Sequence, residues 1–143
     1  MEPSEIKADV ELQVLLQGKI ASVDSDGKST PVKVYLTGER SGINVPDDFI
    51  DIEFSGDPWA IDRQMGFIRG YLTVTLYTKL NSDNTIKRNR VSKILSQFDT
   101  LVNRASTENY YYEYLYTGFM TPTTASTSIG YSVTALALQW HTK

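Results

Sequence analysis

Along "FIRGYLTVTLYTKLNSDNTIKRNRVSKILSQFDTLV", Phe67 to Val102, apolar residues first recur at every second position and then at every third or fourth. Leu72, Val74 and Leu76 alternate with Tyr71, Thr73, Thr75 and Tyr77, which predicts a strand with bulky groups on both faces. Past the turn "LNSDN", Val91, Ile94, Leu95, Phe98, Leu101 and Val102 make one apolar stripe of a helix, with Asn84 or Thr85 as its cap.

The same reading extends to both sides. "EPSEIKADVELQVLLQGKI" predicts a helix capped by Ser4, with Glu5 in its first turn and Gly18 as its stop. Ile6, Val10 and Val14 repeat at the helical spacing while Leu12, Leu15 and Leu16 widen the stripe, although "VELQVLL" also fits an alternating strand. "SVDSDGKST", Ser22 to Thr30, reads as a loop reversing at Asp26 and Gly27. "PVKVYLT" follows as a strand begun by Pro31, with Val32, Val34 and Leu36 facing a core. Phe49 to Phe54 is a second strand, Ile50, Ile52 and Phe54 on one face and Asp51 and Glu53 on the other. From Ser55 to Gly66 runs a long polar connection whose Trp59, Ile61 and Met65 are expected to fold over the core, the alternative being that a partner later covers them.

"ENYYYEYLYTGFM" and "SIGYSVTALALQWH" predict a hairpin joined by the threonine-rich "TPTTASTS". Tyr110, Tyr112, Tyr114 and Tyr116 share one face, opposite Tyr111, Glu113 and Leu115. In the second strand Tyr131, Val133, Ala135 and Ala137 oppose Ser132, Thr134, Leu136, Leu138 and Trp140. A tyrosine ladder packs under a helix with its hydroxyls at the rim, or meets another subunit. The expected fold is a single α+β domain over residues 1–143, a mostly antiparallel sheet of about four to five strands packed against two helices.

Composition narrows the chemistry. With 17 acidic and 14 basic residues the net charge is -3, so nothing global draws the chain to nucleic acid or an anionic membrane. No apolar run approaches the ~20 residues that span a bilayer, and "MEPSEIKADVELQV" lacks the basic start and apolar core of a signal peptide. The absence of cysteine excludes disulfides, thiolate nucleophiles and the usual zinc frameworks. The one histidine, His141, lies near the end of the sequence and reads as a surface residue. "SVDSDGKS" spaces its aspartates as calcium loops do, yet lacks the later bidentate glutamate and reads as a turn. There is no phosphate-cradling glycine loop and no nucleophile elbow. Paired carboxylates occur in Asp47 with Asp48 and in Asp51 with Glu53, and alternation turns the second pair outward to guard a strand edge. Neither an enzyme, a cofactor nor a metal site is expected.

The basic start of the second helix, "KRNR", is the main electrostatic feature. It fits a solvated helix face, a contact with the acidic "PDDFIDIEF" segment of a neighbouring subunit, or phosphate contacts.

The order "GYLTVTLYTKL", polar turn, "RNRVSKILSQFDTLV", "YYYEYLYTG", "SVTALALQW", preceded by "VKVYLTGER" and "VPDDFIDIEF", resembles the tail terminator and tail-completion proteins of tailed bacteriophages. The likeness covers nearly the whole chain as pattern rather than as invariant motif. It implies a structural virion subunit in the tail or neck, assembled in the host cytoplasm, that forms a homohexameric ring on the tail tube, ends tail growth and joins the tail to the head connector. Its partners would be other copies of itself, the tail tube protein and connector proteins, with no membrane and no specific nucleic acid recognition. The family has no catalytic motif to carry over. The contact candidates are Lys87, Arg88 and Arg90, Asp47 and Asp48, Trp59, and Tyr112 and Tyr114. A head-tail adaptor, a tube subunit or a small non-viral binding module are the alternatives.

Overall fold

The computed structural model describes residues 6–24, 26–39, 45–55, 59–62, 67–105, 111–119, 123–126 and 130–142. The elements run α1 (Ala8–Leu16), β1 (Ala21–Val23), β2 (Ser29–Pro31), β3 (Lys33–Leu36), β4 (Asp48–Phe54), β5 (Trp59–Asp62), β6 (Phe67–Lys79), α2 (Arg88–Ala105), β7 (Tyr112–Phe119), β8 (Thr123–Ser126) and β9 (Tyr131–Thr142). The α+β class is as expected from the sequence.

The main sheet has the order β3-β4-β6-β9-β7, with β5 continuing the β4 side of β6 and β8 the β7 side of β9. β3 and β4 are parallel, and every other pairing is antiparallel. β6 and β9 form the spine, in register from Arg69 opposite His141 to Lys79 opposite Tyr131. Both are long and alternate cleanly. In β9 Ser132, Thr134, Leu136, Leu138 and Trp140 are buried, one of the two faces that its alternation separates.

Both helices cover that face. α2 buries Val91, Ile94, Phe98 and Val102, the stripe its spacing predicts, with Leu95 and Leu101 packed at the margin. Each such side chain removed from water stabilises by roughly 1.5–3 kcal/mol before entropy is counted. α1 differs from expectation. It buries Ala8, Leu12, Leu15 and Leu16, while Val10 is 39% and Val14 64% exposed. The three leucines and Ala8 bury one side of this short helix, which leaves the valines on the other. Ser4 lies outside the described residues, and Lys7 occupies the N-cap without a side-chain bond. Gly18, at φ 76°, ends the helix as anticipated.

Several short elements depart from the sequence reading. The Ser22–Thr30 segment does reverse at Gly27, whose φ is 87° and whose N–H donates to the Asp24 carbonyl at 3.0 Å, but strands β1 and β2 flank the turn. Pro31 closes β2 instead of opening β3. The Ser55–Gly66 connection contains β5, and "TPTTASTS" contains β8. Asn84 and Thr85 do not cap α2. Asn84 sits at φ 64° in the preceding turn, and the Thr85 hydroxyl is engaged with Asp83 at 2.6 Å. Those bonds from Thr85, the side-chain one foremost, hold the Asp83 carboxyl below its usual range.

The free edge of β3 is closed by side chains. Val34 N–H donates to Gln17 Oε1 at 2.9 Å, and the Val34 carbonyl accepts from Gln13 Nε2 at 3.0 Å. Leu36 N–H donates to Glu39 Oε1 at 2.8 Å, while Glu39 N–H returns a bond to the Leu36 carbonyl at 3.0 Å. α1 thus stands where a further strand would pair.

Candidate functional site

The start of α2 and the β1–β2 hairpin enclose an open groove of about 900 Å³, lined by Val23, Asp24, Ile86, Lys87, Arg88 and Lys93 among others. Arg90 forms its floor. The Arg90 side chain is only 13% exposed and is held on all sides: Nε donates to both Asp48 oxygens at 3.1 and 3.0 Å, and Nη2 bonds Asp48 Oδ2. Nη1 reaches Asp24 Oδ1 at 2.7 Å, and Nη2 donates to Ser22 Oγ at 3.1 Å. Bonding to Asp48 raises the Arg90 pKa above its already high ordinary value. Gln97, further along α2, fixes the hairpin from the same side by accepting from Ala21 N–H at 3.0 Å and donating to its carbonyl at 2.9 Å.

This arrangement revises the contact candidates. Arg90 and Asp48 are a largely buried internal pair and do not offer charge to a neighbour, because each satisfies the other. Tyr112 and Tyr114 are also internal, at 5% and 2% exposure, packed under α1. Lys7 N–H donates to the Tyr112 hydroxyl at 3.1 Å, and the Tyr114 hydroxyl donates to the Ala8 carbonyl at 3.0 Å. Of the two roles open to the tyrosine ladder, packing under a helix is the one these residues fill. Tyr110 lies outside the described residues. Trp59 lies in β5, and its side chain is outside the described part.

Lys87 and Arg88 remain at the groove, and Lys93 joins them. Among the described residues none of the three forms an ion pair. Asp47 is exposed and lies 3.9 Å from Lys79, a surface pair of little energetic weight. His141 departs from its expected place at the surface: its side chain is 20% exposed and its Nε2 lies 2.9 Å from Glu113 Oε2.

The sheet face away from the helices carries features that the sequence reading passed over. Phe49 is 2% exposed on this face because rings enclose it. Tyr77 stacks on it at 4.7 Å, and Tyr35 and Tyr131 meet it edge-on at 6.1 and 5.6 Å. Beside Tyr77, a hollow of about 280 Å³ is lined by Asp51, Glu53, Thr75 and the Leu36–Gly38 turn. Among the described residues no group of three or more His, Asp or Glu converges as a metal site. No helix of the described residues is long and apolar enough to cross a membrane. No family model and no curated protein matches this sequence.

Proposed function

We propose that the chain is a structural subunit of a closed ring, of six copies in the virion, that caps the tail tube of a tailed bacteriophage. In that role it ends tail growth and joins the tail to the head connector, without cofactor or catalysis. The observation that supports this is the placement of both helices on one face of a sheet whose spine is β6 and β9, in the element order of the terminator-like pattern. Among the described residues no helix lies on the second face, and at the groove on the helix side Lys87, Arg88 and Lys93 form no ion pair with a described residue. Surfaces of this kind act by shape and charge, which is how a ring subunit meets its neighbours and a tube end.

Electron microscopy of the purified protein, alone and added to growing tail tubes, tests the reading. Closed rings and tubes arrested at a capped end are expected. Particles that never associate with themselves or with tubes would overturn it, and long polymers would assign the chain to the tube itself.

A further inference from the structure

The groove and the acidic hollow lie on opposite faces of the sheet. Asp51, Glu53, Thr75 and Tyr77 alternate with Ile50, Ile52, Val74 and Leu76, which face the helices, whereas Lys87, Arg88 and Lys93 belong to the helix side. One copy cannot bring the two together within itself. A second copy can, and the contact is then head-to-tail, each copy giving its basic face to one neighbour and its acidic face to the other.

We propose that Arg88 of one copy enters the hollow at the β3–β4 edge of the next and meets Glu53, with Lys87 and Lys93 facing the acidic rim. This rests on the ring reading and names its contact. Arg88 and Glu53 are both exposed, and among the described residues neither has an ion pair. The hollow, at about 280 Å³, falls at or below the ~300–1,000 Å³ of small-molecule sites and has room for a long side chain. Its lining suits a guanidinium: the exposed Glu53 carboxylate accepts the planar fork. Because Arg90 is neutralised inside the fold by Asp48 and Asp24, the charge available to a partner is that of Lys87, Arg88 and Lys93.

The chain has no cysteine, so cross-linking can be made specific. Arg88→Cys and Glu53→Cys are introduced together and singly, and each protein is treated with a short bismaleimide. The double variant should give a ladder of covalent oligomers that stops at a closed ring, while each single variant gives dimers at most. A ladder without an end would keep the contact and overturn the ring. Closed rings by microscopy with no ladder would keep the ring and overturn the contact. In a parallel test, Arg88→Glu and Glu53→Arg should each weaken self-association in sedimentation by roughly tenfold or more, and mixing the two variants should restore it. Failure of the mixture to recover would overturn the pairing. So would binding of labelled duplex DNA that is lost in Lys87→Glu while no ladder forms, since the groove would then be a phosphate site.

Discussion

Arg90 reaches from the first turn of α2 to the first residue of β4 and grips both carboxylate oxygens of Asp48. The pair ties the helix layer to the sheet, and through Asp24 and Ser22 it also holds the β1–β2 hairpin.

Removing one member of such a pair strands the other in a dry site. Arg90→Ala should therefore destabilise the protein by about 3–5 kcal/mol. Urea denaturation measures this, and adding Asp48→Asn should return part of the loss because the orphaned charge is gone. A midpoint unchanged in Arg90→Ala would mean that water already reaches Asp48.

The Tyr114 hydroxyl has its pKa pushed well up, by burial first and then by the Glu11 carboxylate beside it; burial and Asp99 act the same way on Tyr116. In the unfolded chain these groups lose their protons near pH 10. Above that pH the unfolded state binds fewer protons than the folded one, so stability present at neutral pH is lost as pH rises, by about 1.4 kcal/mol per unit for Tyr114. Denaturation midpoints measured from pH 8 to 11.5 should fall beyond pH 10, and Tyr114→Phe should flatten the fall.

Gly70 faces Trp140 across β6 and β9, and a Cβ built there would lie 2.6 Å from the indole ring. Trp140 is wholly buried and has no room to retreat. Gly70→Ala should cost about 1–3 kcal/mol through overpacking, read as a lowered thermal midpoint with altered tryptophan fluorescence.

Two substitutions separate the helix faces. Phe98→Ala should destabilise by about 3–5 kcal/mol, while Val14→Ala, at a position 64% exposed, should stay within about 0.5 kcal/mol. Equal losses would show that Val14 is buried against something further.

The long elements were legible in the sequence because their period repeats often enough to exclude the alternative: β6 and β9 are strands with the alternation read from the sequence, and α2 buries its predicted stripe. β1, β2, β5 and β8 were not, since three or four residues are too few to show a period and become extended only by pairing with a neighbour. The parallel pairing of β3 with β4 likewise depends on how the chain returns, which periodicity does not encode. At the candidate site, the basic helix start was visible but the burial of Arg90 was not, because its partners lie 42 to 68 residues away. A signal existed in β4: alternation puts Asp48 on the inner face with Ile50 and Ile52, and an inward carboxylate calls for a cation. Phe49 was hidden for the complementary reason, as it alternates onto the outer face and is buried there by tyrosines from three other strands.

The occupied edge of β3 bears on how the chain behaves when crowded. Sheet edges are where identical chains add to one another without limit. Here Gln13, Gln17 and Glu39 already hold the backbone groups of Val34 and Leu36. Templated fibre growth from that side must first displace α1 and its buried leucines, so the barrier to aggregation on this flank is the unfolding of a helix.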